Sequence, residues 1–135
     1  MAVDVQTSRA SLLAREREVY LAREQRRQTV HGAVCQAARS ILPRYRQVRR
    51  AYLFGSLTRP GGLNETSDLD VAVEGLLSAY DFFALWAELE RAIHGWSLDL
   101  VELDRRGLHF AQRVRETGEL IYERTDSDTQ SRHSG

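Results

Sequence analysis

Residues 53–73 read LFGSLTRPGGLNETSDLDVAV, and no other stretch restricts the fold as much. Asp68 and Asp70 flank one leucine at the start of an alternating run. Leu69, Val71 and Val73 fall on one side; Asp68, Asp70, Ala72 and Glu74 fall on the other. Period-2 alternation marks a half-buried strand. Side chains at i and i+2 of a strand share a face, with Cα atoms about 6.6 Å apart, so the two carboxylates converge. Two such charges 4 Å apart repel by about 4 kcal/mol at an effective dielectric of 20. Such a pair either sits at a solvated strand end or has something cationic between its members. Magnesium suits the second case, because it is held by one or two carboxylates together with substrate phosphate oxygens.

The residues around the pair favour the second case. Residues 49–54 (RRAYLF) have strand propensity and end at Gly55. A glycine there lets backbone come close to a phosphate. Ser56 adds a hydroxyl and an amide donor, and a short helical turn after it would aim further amides at an anion. The loop 57–67 carries the turn signal Pro60-Gly61-Gly62. Within it Arg59 is available to phosphates or to a leaving pyrophosphate, and Ser67 to hydrogen-bond the loop into place. A third carboxylate, Asp99, lies in SLDLVEL (97–103), out of phase with Leu98 and Leu100, which are expected to point inward, with Val101 as a further inward candidate. If that strand neighbours 68–73, three carboxylates meet on one face, enough to hold two metals and accept a proton from an attacking hydroxyl. Glu102 has the wrong parity and Asp104 falls at the strand end. The chain has no lysine, so neither a Walker-type loop nor a Schiff base is available.

The remaining pattern supplies the frame. Residues 8–28 read as a mostly solvated, charged helix. A second helix with a real core face (Val30, Val34, Ala37 or Ala38, Ile41) runs to Pro43. Residues 79–94 form an amphipathic helix with Phe82 or Phe83, Trp86, Leu89 and Ile93 on one side and Gly95 as its cap. Residues 108–117 form a short helix, and 120–122 add an edge strand. This order predicts one α/β (α+β) domain, a small mixed sheet layered with helices. The aromatics 82, 83 and 86 read as core rather than as a nucleobase shelf. Cys35 reads as a small buried apolar residue with no internal disulfide partner. His31, His94 and His109 lack metal-ligand spacing.

Charge divides the chain. Residues 1–50 hold eleven arginines against four acids (+7), and residues 51–135 hold eight against fifteen (−7). The arginines of 15–27 read as a solvated face or as a protein-docking surface through which the chain forms a homo- or hetero-oligomer; nucleic acid is the least favoured partner. No stretch approaches the ~20 apolar residues of a membrane span, and the N-terminus lacks a secretory signal, so a cytoplasmic protein is expected.

LFGS, SDLD and SLDLVELD resemble the minimal nucleotidyltransferases of the DNA polymerase β superfamily, and within them the MNT antitoxins encoded beside HEPN toxins. The resemblance spans roughly residues 30–123. Eleven residues separate Ser56 from Asp68 where the family pattern has ten, and Pro60-Gly61-Gly62 can absorb the extra one. The resemblance implies a polymerase β-like fold in which Gly55 and Ser56 bind a nucleoside triphosphate, Asp68 and Asp70 hold Mg²⁺, and Asp99 completes the triad. It further implies ATP as donor and a tyrosine of a cognate HEPN toxin as acceptor, the toxin being silenced by AMP. A non-catalytic antitoxin that occludes its toxin and a small-molecule, aminoglycoside-type nucleotidyltransferase remain alternatives. The expected division is a charged extension (1–28), a nucleotidyltransferase domain (29–124) and a disordered tail (125–135).

Overall fold

The computed structural model describes residues 5–125. All of the expected tail except Thr125 lies outside the described residues. Four strands form one mixed sheet in the order β3-β2-β1-β4: β1 (Arg50–Phe54), β2 (Leu69–Glu74), β3 (Leu98–Glu102) and β4 (Glu119–Glu123). β1 runs antiparallel to both β2 and β4, whereas β2 and β3 are parallel. Parallel neighbours need a crossover, and α2 (Ala79–Ala92) provides it. Ser78 starts α2 by accepting the Asp81 N–H on its hydroxyl at 3.1 Å. The helix stops at Ala92, with Ile93 as its cap; Gly95 comes two residues later, at a φ of +86°.

The two helices expected before the sheet are one. α1 (Val5–Ile41) runs without a break for 37 residues, about 55 Å at 1.5 Å per residue. The change near residue 29 is in burial, not in backbone: Gly32 sits inside the helix without breaking it, and the Thr29 hydroxyl bonds back to the Gln25 carbonyl at 3.0 Å. Val30, Val34, Ala37, Ala38 and Ile41 pack on the sheet, while Val5, Leu12, Leu13, Val19, Tyr20 and Leu21 are exposed. Pro43 does not end the helix abruptly but sits in a 3₁₀ turn (Leu42–Arg44) that follows it.

The sheet is covered on both faces. One face packs Leu53, Leu69, Val71, Val73, Leu98 and Leu100 against α1 and against Leu85 and Leu89 of α2. On the other, Tyr52 and Ala72 meet Leu103 of the short α3 (Leu103–Arg106) and Ala111 and Val114 of α4 (Leu108–Thr117). The half-buried reading of β2 is therefore corrected: all of its residues but Asp70 are buried. Val101 is buried too, but as the register partner of Ala72 it lies on the face away from Leu98 and Leu100. Phe82 is partly buried, whereas Phe83 is exposed, so α2 uses Phe82 as its inward aromatic. Cys35 is half-buried rather than buried, 3.7 Å from His31 Nδ1. His31 itself bonds Glu119 across the α1–β4 contact at 2.8 Å.

Glu74 lies under α4 with its side chain only 4% exposed, and Arg115, Arg50 and the Tyr52 hydroxyl all reach its carboxylate. A buried carboxylate that loses its main cation is costly. Arg115→Ala is expected to reduce stability by about 2–4 kcal/mol in urea unfolding. Breaking the exposed Arg26–Glu65 pair (3.8 Å) by Arg26→Ala should cost about 0.5 kcal/mol or less.

Candidate active site

The site lies where the second helical layer ends. In the parallel β2–β3 ladder Asp70 and Asp99 are direct register partners, so both carboxylates stand on the same face, one strand spacing apart. Asp68, two residues before Asp70, is exposed just ahead of β2. Across β1, Asp70 is opposite Phe54, whose ring meets Phe110 of α4 edge-on at 5.7 Å. Arg106 lies over the Phe110 ring at 5.3 Å. This aromatic edge lies at the first turn of α4, between that helix and the carboxylates, and periodicity could not reveal it because it joins β1 to a helix more than fifty residues away.

Gly55 follows β1 with a φ of +76°, and a Cβ added there would stand 2.3 Å from Asp70 Oδ2. The glycine thus lets the backbone press against the carboxylate. A single 3₁₀ turn, Gly55–Thr58, comes next. The Thr58 hydroxyl donates to the Gly55 carbonyl at 2.8 Å, and the Arg59 N–H to the Ser56 carbonyl at 3.2 Å. Ser56 is half-buried at the head of this turn, and Arg59 is exposed just beyond it. Ser67 bonds Asn64 twice, its hydroxyl accepting from the Asn64 N–H at 3.0 Å, and so shapes the loop that leads into Asp68.

Electrostatically the cluster is the opposite of Glu74. Among the described residues no ion pair reaches Asp68, Asp70 or Asp99. Burial, then the charges of Asp99 and Asp68, push the Asp70 carboxyl above its ordinary value. Two of the neighbouring acids are already engaged. Asp104 accepts the Gly75 N–H at 2.6 Å, and Glu102 accepts the Leu77 N–H at 3.2 Å and pairs with Arg105. Among the described residues no three of His, Cys, Asp and Glu close into a ready-made metal cage. An open, uncompensated set of carboxylates beside a glycine-lined turn fits Mg²⁺, which keeps several positions for water and phosphate oxygens.

Residues 36–127 match the family described as polymerase β, nucleotidyltransferase, which is 92 of the 135 residues. The chain belongs to the polymerase β nucleotidyltransferase family. The matched segment contains every carboxylate and loop residue named above. Among solved structures, this nucleotidyltransferase is similar to a toxin–antitoxin with AMP-PNP (25% identity, 73% of this chain and 77% of that one, TM-score 0.54). It also resembles the toxin–antitoxin MntA–HepT (23%, 76% and 78%, TM-score 0.50). A third similar structure is a tri-AMPylated Shewanella oneidensis HEPN toxin in complex with MNT antitoxin (24%, 77% and 77%, TM-score 0.50). These likenesses establish a shared polymerase β-like fold. No curated protein matches the chain significantly. No helix among the described residues is long and apolar enough to cross a membrane.

Proposed function

We propose that this protein is a Mg²⁺-dependent nucleotidyltransferase that acts as an antitoxin, moving AMP from ATP to a hydroxyl, a tyrosine's, on a cognate HEPN-type toxin. The observation that carries the reading is the Asp70–Asp99 register pair, with Asp68 beside it and, among the described residues, no ion pair to neutralise it. The similar structures, one with AMP-PNP and one with a tri-AMPylated toxin, support nucleotide and partner. The division into a charged extension (1–28) and a catalytic domain (29–124) belongs to the same reading.

Asp68, Asp70 and Asp99 would hold the metal, which when bound supplies positive charge against the phosphates and the charge that develops in transfer. Gly55 and Ser56 offer backbone N–H groups and a hydroxyl to the triphosphate, and Ser67 holds the loop beside it. Arg59 pairs with the β- and γ-phosphates and so favours pyrophosphate as leaving group. Asp99 takes the proton of the acceptor hydroxyl on its carboxylate. The acceptor oxygen then bonds to the α-phosphorus, the bond to the bridging oxygen breaks, and pyrophosphate leaves with that electron pair.

The test is to incubate the protein with Mg²⁺, α-labelled ATP and the product of the adjacent gene, beside the Asp68→Ala/Asp70→Ala double variant. Label on the partner with wild type alone is the expected result, and chelating the metal should abolish it. A stable complex without label, equal in both proteins, would replace this reading with neutralisation by occlusion.

A further inference from the structure

The loop that carries Ser56 and Arg59 is not held by the catalytic domain alone. Glu24 of α1 accepts the Gly61 N–H on Oε2 at 2.7 Å. Arg27, one turn on, grips the same carboxylate through two nitrogens and donates from Nη1 to the Leu57 carbonyl at 2.9 Å. Leu57 and Gly61 lie two residues before and two after Arg59, so the two ties fasten both ends of the turn that bears it. Gly61 also lies close against Tyr20: at its φ of +70°, a Cβ would stand 2.6 Å from Tyr20 Cε2. The Glu24 and Arg27 side chains are 16% and 15% exposed, unlike the solvated charges elsewhere on this half of α1. Residues 20–27 all precede the family match, which begins at residue 36.

We propose that Glu24 and Arg27 are positioning residues for the nucleotide-binding loop, making this segment of α1 a working part of the site; the proposal rests on the nucleotide reading above. They touch neither nucleotide nor acceptor. They act by fixing the loop before ATP arrives, so that binding does not have to bear the cost of ordering it. The Arg27 guanidinium and the Gly61 N–H hold the Glu24 carboxyl down to about 2. The tie therefore persists across the neutral range and is lost only as pH falls through that value.

The experiment has two readouts on Glu24→Ala, Glu24→Gln and wild type. In the free protein, amide hydrogen exchange at Gly61 and Gly62 should quicken at least about tenfold in Glu24→Ala, while the amides of β1 and β2 keep wild-type rates. In the transfer assay the KM for ATP should rise about tenfold with kcat within about threefold. Glu24→Gln keeps an acceptor for Gly61 and should fall between the two. Unchanged Gly61 exchange with a wild-type KM would overturn the proposal. So would faster exchange throughout the sheet, because the role would then be plain structural support. If wild type itself neither binds ATP nor transfers it, the nucleotide reading fails and the proposal falls with it, while the exchange data still report whether the tie exists.

Discussion

Asp70→Asn is expected to lower nucleotidyl transfer by about 10²–10³-fold or more while leaving the protein as stable as wild type, or more so. Both halves follow from one arrangement. Asp70 is half-buried, faces Asp99 in the parallel ladder, and among the described residues no ion pair offsets it. Its folded-state pKa is raised above the ordinary 3.8, so folding disfavours the ionised form. Below 3.8 the group is protonated in folded and unfolded chains alike and contributes nothing. As pH rises through the raised value, the folded state loses stability relative to a neutral residue at that position. The Tm difference between Asp70→Asn and wild type should therefore be near zero in acid and grow towards neutral pH. Mg²⁺ and ATP together should reverse the order, since a ligand present at 100 times its Kd stabilises the protein that binds it by about 2.7 kcal/mol. Wild-type turnover in the variant would dismiss the metal-site reading. A variant clearly less stable than wild type at neutral pH would mean that the carboxylate is structural.

Gly55→Ala should be as damaging to transfer, but for a steric reason, and it should also cost stability. The new methyl would stand 2.3 Å from Asp70 Oδ2 at a φ of +76°, a left-handed conformation that costs a non-glycine residue roughly 1–2 kcal/mol. The carboxylate is a side-chain end and can swing away, so the clash itself is relieved cheaply. What is lost is the carboxylate's position beside Asp99, and we expect transfer to fall by about 10²-fold or more. A double-mutant cycle separates the effects. In an Asp70→Ala background the clash is gone, and the stability cost of Gly55→Ala should shrink to the backbone strain alone. Wild-type transfer in Gly55→Ala would show that Gly55 and Asp70 do not press on each other in solution.

The frame of the site was readable from residues 53–73 because its signals are local. A strand ending at Gly55, a loop built on Pro60-Gly61-Gly62 and a period-2 run from Asp68 need no partner to be recognised. Asp99 was readable only conditionally, since its meeting with Asp70 depends on which strands become neighbours, a choice made by the α2 crossover. Burial on the second face was misjudged because Glu74 resembles a solvent-side strand residue until α4 covers it and brings Arg115. Phe82 and Phe83 are adjacent on a helix, and only packing selects between them. The ties from α1 were invisible for a different reason. Glu24 and Arg27 look like one more solvated i,i+3 pair, and their loop partners are 30 or more residues away.

The pairing of β2 with β3 also decides where this chain can change length. Residues 75–97 lie between the two strands, and adding or removing residues there leaves Asp99 opposite Asp70 as long as the ladder forms. One residue inserted between Leu98 and Asp99 does the opposite: it moves the carboxylate one step along the ladder, opposite Val71, and turns it into the apolar layer. As far as the register is concerned, a change in length is harmless between the two strands and ruinous within β3. The site is guarded by counting as much as by chemistry.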